Sequence, residues 1–412
     1  MEHNPDFYGL GIAPNILAIL DKIGFKVPTP IQVKAIPAGL EGKDVMGLAQ
    51  TGTGKTLAFG IPMIQACVQG TQGLVILPTR ELALQVEETF IKVGGPLGIR
   101  TALLIGGAPM GRQLDQLRRG PSVVIGTPGR IIDHLEQKTI SLKRVSILVL
   151  DEADRMLDMG FAPQLKRILA EVPPADKRQT MLFSATMPDG IVKLANSYMK
   201  LPIRIEIAPP GTAAARATQE LFFISKNDKP RLLESVLGEY RGSVLVFTRT
   251  KFGAKRIAAL ARHIGHTAAE IHSNRSLNQR REALEGFKNG RYRVLVATDI
   301  AARGIDVKGI ELVVNFDLPS TPEDYVHRIG RTARAGAEGD AVSFACEEYA
   351  FSLPEIEAFI GHGIPRAALT SDLLPALQPP AHRERYHAHP YLTQGRSQGR
   401  GRREGRRGRR QA

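Results

Sequence analysis

Two stretches hold residue types that could do chemistry. Asp151-Glu152-Ala153-Asp154 sets three carboxylates directly after the apolar run Ser146–Leu150. Carboxylates are costly to bury. Their place at the end of a run that reads as a buried strand therefore admits two readings. One is a metal site at the carboxyl edge of a parallel sheet. The other is a turn whose acidic residues cap the next helix. The tetrad alone does not decide between them, but the second stretch does. Ala49-Gln50-Thr51-Gly52-Thr53-Gly54-Lys55-Thr56 is a small residue, four of varied type, then Gly-Lys-Thr, after a short apolar run. Gly52 and Gly54 let the backbone curl so that its N–H groups face a phosphate. Lys55 adds a point charge at the β- and γ-phosphates, Thr56 offers a hydroxyl to Mg²⁺, and the helix that follows presents its positive end. Such a loop needs a partner carboxylate for the metal, and Asp151 supplies one. Glu152 would orient or deprotonate the attacking water, and Asp154 would sense the phosphate state.

These residues need a scaffold that brings distant loops to one edge. Between about Val45 and Ile207, apolar runs such as "GLVILPT", "SVVIGTP", "SILVLDEAD" and "TMLFSAT" alternate with stretches of helical character such as "RELALQVEETFIKV". That alternation predicts βαβ units and a parallel sheet covered on both faces. Ligands bind such sheets beyond the carboxyl ends of the strands. The pattern breaks at "APPGTAAARAT" (208–218), which reads as a linker. It resumes in "SVLVFTRT", "HTAAEIH", "RVLVATD", "ELVVNFD" and "DAVSFACEE". The expected organisation is a first α/β domain over 1–207, a linker over 208–218, a second α/β domain over 219–369 and a disordered tail over 370–412. The tail is rich in Pro, Gly, Arg, His and Gln and cannot bury enough apolar surface to fold.

The bulk composition narrows the class. Hydrophobic residues make up 43% of the 412, enough for a core, and no apolar run reaches the length of a membrane span. The N-terminal residues lack the pattern of a secretory signal. Cys67 and Cys346 lie far apart with no ligand spacing, so a disulfide framework and a zinc site are both unexpected and a reducing cytoplasm fits. Net charge is +14, and from Ala381 onward ten Arg against two Glu give +8. An Arg-Gly tail of this kind suits a polyanion, most often nucleic acid, bound with little sequence preference and strong salt dependence.

With its motifs in this order, the chain resembles the DEAD-box RNA helicases over about Phe7 to Ala345. "GFKVPTPIQ" (24–32) is similar to the family's adenine-reading Q motif. The resemblance gives Gln32 the adenine edge, Phe25 the base face, and Phe7 the place of an isolated upstream aromatic. "PTRELA" (78–83), "GG" (106–107) and "TPGR" (127–130) resemble RNA-contacting segments of the first lobe, which assigns RNA to Thr79, Arg80, Gly107, Thr127 and Arg130. "SAT" (184–186) resembles the element that couples ATP state to RNA, through Ser184 and Thr186. "LVFTRT" (245–250), "ATDIAARGIDV" (297–307) and "YVHRIGRTARAG" (325–336) resemble second-lobe motifs. They assign RNA to Arg249 and Thr298 and the ribose to Asp306; Arg303 falls in a segment facing RNA or the cleft. Arg331 and Arg334 would act as fingers on the γ-phosphate, and His327 would link the ATP and RNA sites. Helical spacing of three predicts Arg328, Arg331 and Arg334 near one face. Ala333 departs from the Gly that many members have, a change of one methyl group. Details of "HSNRSLNQRREAL" (272–284) lean towards the bacterial RhlE-like group.

The resemblance implies two tandem RecA-like domains, each a parallel sheet with helices on both faces, followed by the disordered basic tail. It implies an ATP-dependent RNA helicase, with ATP and Mg²⁺ as cofactors and RNA as partner. Ribosomal or mRNA-decay complexes are possible settings, the location is cytoplasmic, and no membrane is involved. The activity implied is local remodelling of short duplexes and ribonucleoprotein through cleft closure and RNA-stimulated ATP hydrolysis. A second reading, an ATP-gated RNA clamp or strand annealer, rests on the basic tail. A DNA helicase fits less well, because the Q motif and "DEAD" together match RNA-directed members.

Overall fold

The computed structural model describes residues 6–49, 52–207, 217–302, 307, 309–332 and 339–375. Gln50, Thr51, Arg303, Asp306, Ala333, Arg334, most of the expected linker and the Arg-Gly tail lie outside them.

Parallel strands buried on both faces need apolar side chains at successive positions, and the strands here have them. The first lobe runs α1 (Pro14–Lys22), α2 (Pro30–Leu40), β1 (Val45–Leu48), α3 (Lys55–Val68), β2 (Gln72–Ile76), α4 (Arg80–Gly94), β3 (Thr101–Leu104) and α5 (Met110–Arg118). It continues with β4 (Val123–Gly126), α6 (Pro128–Glu136), β5 (Val145–Leu150), α7 (Ala153–Asp158), α8 (Ala162–Glu171), β6 (Gln179–Ser184), α9 (Asp189–Tyr198) and β7 (Ile203–Glu206). All its strands pair in parallel, in the order β3-β4-β2-β5-β6-β1-β7. Ile147 and Val149 of β5 pack into one apolar cluster and Leu148 and Leu150 into another, so helices cover both faces.

The second lobe runs β8 (Thr218–Phe223), α10 (Lys229–Glu239), β9 (Ser243–Phe247), α11 (Lys251–His263), β10 (Ala268–Ile271), α12 (Leu277–Lys288), β11 (Val294–Ala297), α13 (Asp299–Ala302), β12 (Ile310–Asn315), α14 (Pro322–Ile329), β13 (Asp340–Ala345) and α15 (Leu353–Ile360). Its parallel order is β10-β11-β9-β12-β13-β8. Position by position, this repeats the first sheet without its last edge strand, so β8 stands where β1 stands and β12 where β5 stands. Thr218, the final residue of the stretch read as a linker, is already paired in β8 with Asp340.

The strand order decides which loops meet. β5, β6 and β1 are neighbours, with Leu150 beside Leu182 and Leu48 beside Ser184. The residues after them, 151–154, 185–187, 49 and 52–54, therefore share one edge. The loops after β2, β4 and β3 share the other half of that edge. Among the described residues, no helix is long and apolar enough to cross a membrane. Cys67 and Cys346 are both buried and free.

Candidate active site

Lys55 opens α3 immediately after Gly54, whose φ of +89° is a left-handed conformation that favours glycine. A Cβ there would also sit 2.4 Å from Gln32 Nε2, so the loop has no room for a side chain. Gln32 is buried at the start of α2. Its Oε1 accepts from Thr29 N at 2.9 Å and its Nε2 donates to Gly54 O at 2.9 Å. The glutamine thus ties the Q-motif turn to the loop. Phe25, in the turn between α1 and α2, keeps an exposed ring, whereas Phe7 is buried in the first-lobe core. Its ring is part of that core and is not presented outward.

Lys55 Nζ is buried, lacks a hydrogen-bond partner and lies 3.7 Å from Asp151 Oδ1. Burial pushes the Asp151 carboxyl up to about 6, against the pull of Lys55. An orphaned ammonium beside a destabilised carboxylate, under a loop with no room for a side chain, fits a phosphate and its counter-cation. Among the described residues, no group of three or more His, Cys, Asp or Glu is arranged to hold a metal alone. That also fits Mg²⁺, which is held by one or two carboxylates together with substrate phosphates. Thr56, half-buried on the first turn of α3, and Asp151 are the protein groups present for it. Glu152 is buried in a left-handed backbone conformation, φ 51° and ψ 50°. A non-glycine residue there carries strain.

Asp154 is more fully engaged than the sequence suggests. Its Oδ2 accepts from Ala185 N (3.1 Å), Thr186 N (2.9 Å) and Thr186 Oγ1 (2.9 Å). Its backbone N–H donates to Ser184 Oγ at 3.3 Å. One carboxylate therefore clamps the "SAT" turn to the acidic tetrad.

On the other half of the edge, Thr79 caps α4, accepting from Leu82 N at 3.4 Å, and Thr127 precedes α6. Arg80 lies against Gly106 and Gly107. A Cβ on Gly107 (φ +79°) would come within 2.4 Å of its Nη1, so these glycines permit the approach. Arg130 donates to Ala108 O at 3.4 Å, on the same loop. Burial, then the charge of Arg280, then that of Arg130 pull Arg80 below its ordinary value. Arg280 pairs with Glu81 at 2.7 Å and Arg130 with Asp133 at 3.1 Å, so three arginines against two carboxylates leave a surplus positive charge, which is the electrostatic condition a phosphate backbone relieves.

The second lobe corrects one expectation. Helix α14 ends at Ile329, and Arg331 lies in the turn beyond Gly330, so Arg328 and Arg331 do not share a helical face. Arg328 is fully buried. Its Nε and Nη2 pair with Asp299 at 2.6 and 2.7 Å, and its Nη1 donates to Asn315 Oδ1 at 3.1 Å. Arg331 is buried, with Nε donating to His327 O at 3.2 Å. His327 Nδ1 is buried without a hydrogen-bond partner. Both line one small cavity with Arg155 and Asp324. Arg249 turns inward: its Nε donates to Leu318 O at 2.7 Å and its guanidinium lies 4.1 Å over the Tyr349 ring. Thr298 is half-exposed after β11, its N–H donating to Ile271 O at 3.3 Å.

Among the described residues, two ion pairs join the lobes, and the motif reading contained neither. Arg155 bonds Asp324 beside the acidic tetrad. Arg280 Nη2 meets Glu81 Oε2 at 2.7 Å beside Arg80. The acid signs of Glu81 and Asp324 are visible in sequence, but partners 169 residues apart, as Arg155 and Asp324 are, have no local signal.

Two doubly covered parallel sheets of matching order, with a phosphate loop and acidic tetrad on the first and buried arginines on the second, define a two-lobed nucleotide-dependent enzyme. Residues 29–194 match the model of the DEAD/DEAH box helicase family, and residues 228–336 that of the helicase conserved C-terminal domain. The chain is 42% identical over 383 residues to the ATP-dependent RNA helicase RhlB of Xanthomonas axonopodis pv. citri, covering 90% of this chain and 67% of that one. It is 43% identical over 365 residues to the ATP-dependent rRNA helicase RRP3 of Candida albicans, covering 87% and 68%. Its fold is similar to S. cerevisiae Dbp5 bound to RNA and ADP BeF3 (TM-score 0.77, 30% identity, 88% of this chain and 95% of that one). It is also similar to Mss116p bound to ssRNA and AMP-PNP (TM-score 0.82, 28% identity, 90% and 81%). The chain belongs to the DEAD-box family of ATP-dependent RNA helicases, enzymes that hydrolyse ATP and act on RNA. Its two sheets are the tandem RecA-like domains of that family.

Proposed function

We propose that this helicase remodels short RNA duplexes locally, by closing the cleft between its lobes around ATP and a single strand. The observation that carries the reading is the pair of inter-lobe ion pairs. Arg155–Asp324 sits on the nucleotide side and Arg280–Glu81 on the side of Arg80, so one closing motion makes both.

Bound Mg²⁺ would neutralise the β- and γ-phosphate charge. Thr56 and Asp151 would hold it, Lys55 would meet the phosphates, and Gln32 and Phe25 would read the adenine. Gln50, Thr51, Gly52, Thr53 and Gly54 would supply the phosphate cradle with Ala49 at its base, and Asp306 the ribose contact. Glu152 would take the proton of the attacking water. Arg331 and Arg334 would reach the γ-phosphate once the lobes close, with His327 beside them. Thr79, Arg80, Gly107, Thr127, Arg130, Arg249 and Thr298 would grip the strand by its backbone. Asp154, through Ser184 and Thr186, would report the nucleotide state to that grip.

Glu152→Gln tests this reading. It should bind a fluorescent ATP analogue and RNA as the parent does, yet hydrolyse ATP at least about 100-fold more slowly, the scale of a general base. Hydrolysis at the parent rate would remove Glu152 from the role. The Arg-Gly tail supports a second reading, an annealer or clamp, and annealing without unwinding of a short duplex would favour it.

A further inference from the structure

In the second sheet, β8 and the loop Ser225–Asp228 occupy the place that β1 and the phosphate loop occupy in the first. Lys229 opens α10 as Lys55 opens α3, and its ammonium lies 3.1 Å from Asp317 in the turn after β12. Unlike Lys55, Lys229 is satisfied, with Phe316 and Tyr349 ring centroids at 5.3 and 5.1 Å. Arg249 lies on Tyr349 at 4.1 Å and 5.9 Å from the ring of Phe351. Rings and cations thus alternate along a ladder: Phe316, Lys229, Tyr349, Arg249, Phe351. Its inner end is buried, while its outer ring, Phe351, is 70% exposed.

A cavity of about 290 Å³ opens beside this ladder, lined among others by Lys226, Lys229, Phe252, Arg256 and Tyr349. Phe252 is 72% exposed, with the Lys251 ammonium 5.4 Å from its ring. Asp317 is matched by Lys229, and Glu348 outside the lining is matched by Lys226 at 2.5 Å. Arg256 leaves the lining net positive. Arg249 Nη2 is buried and has no hydrogen-bond partner. Two exposed rings set among cations, next to an unsatisfied guanidinium nitrogen, match the chemistry of single-stranded nucleic acid. Rings stack bases, and cations follow the backbone. An apolar protein partner would leave the surrounding charge unpaired.

We propose that this platform holds bases of a single RNA strand that continues past Arg249, stacking one on Phe351 and one on Phe252. The proposal rests on the reading of Arg249 as an RNA contact and extends it from backbone grip to base stacking. The measurement is RNA affinity of the full chain with a non-hydrolysable ATP analogue, by fluorescence anisotropy. One oligoadenylate is just long enough to cross both lobes and another is twice that length. Phe252→Ala with Phe351→Ala should weaken the longer strand by about 5- to 150-fold per base unstacked and leave the shorter unchanged. Phe351→Tyr should retain affinity. Phe351→Leu, which keeps apolar bulk without a π-face, should lose it, and this pair holds if the double variant fails to fold. Equal affinity of parent and variants for the longer strand overturns the platform and leaves the rings to a protein partner. If the parent itself binds neither strand, the RNA reading of Arg249 fails first and the platform with it.

Discussion

Arg280→Ala probes closure at a point that touches no nucleotide. The Arg280–Glu81 contact is 2.7 Å long, with side chains 10% and 6% exposed, and it spans the two lobes. Truncating one partner of such a pair costs about 2–5 kcal/mol, much of it the penalty on the stranded charge. Two features set the value at the low end. Burial already holds the Glu81 carboxyl above its ordinary range, with Arg280 the first group pulling it back, so the stranded acid can take up a proton. Losing Arg280 also removes repulsion on Arg80. About 2 kcal/mol remains, which is about 30-fold in an equilibrium constant. Because the pair exists only between lobes, this loss should fall on RNA affinity measured with a bound ATP analogue. Nucleotide affinity without RNA should be unchanged. The assay is a double-mutant cycle with Glu81→Gln, read by RNA titration. The double variant should be less impaired than the sum of the singles. Additive losses, or an equal loss of nucleotide affinity, would refute the closing contact.

Asp154→Asn should leave ATP-analogue affinity near the parent value but lower RNA-stimulated turnover at least about tenfold, because hydrogen bonds to a charged acceptor contribute about 1.5–3 kcal/mol each and Asp154 accepts three from the turn 185–186. Steady-state kinetics with and without RNA would check this. His134 is fully buried between Thr139 Oγ1 (2.7 Å) and Gln113 Oε1 (3.2 Å), and burial lowers its pKa. A base that stays neutral when folded contributes stability that is full above the unfolded pKa of about 6.5 and is lost as pH falls below it. Melting temperature should therefore drop more between pH 7.5 and 5.5 for the parent than for His134→Gln.

How much was legible depended on the range of the interaction. Strands β2, β4, β5, β6, β9, β11 and β12 are near-continuous apolar runs, and burial on both faces demands that composition, so the alternation exposed them. Edge strand β7 could not be read this way: Ile203, Arg204 and Glu206 are exposed and only Ile205 is buried. The phosphate loop and acidic tetrad were legible because phosphate and metal chemistry fixes residue types at short spacing. The end of α14 before Arg331 was not, since three-residue spacing continues past Gly330 in sequence while the helix stops there. Helical spacing grouped Arg328 with Arg331 and Arg334, and only the fold brings Asp299 and Asn315 to it. The inter-lobe pairs depend on the docking of two domains, which no local pattern encodes.

The most direct test of the account is ATP hydrolysis by the full chain with no nucleic acid, with single-stranded RNA and with single-stranded DNA of the same sequence. Closure around an RNA strand predicts strong stimulation by RNA and little by DNA. Equal stimulation by both, or turnover indifferent to either, would contradict the coupling of the ATP site to RNA across the two lobes.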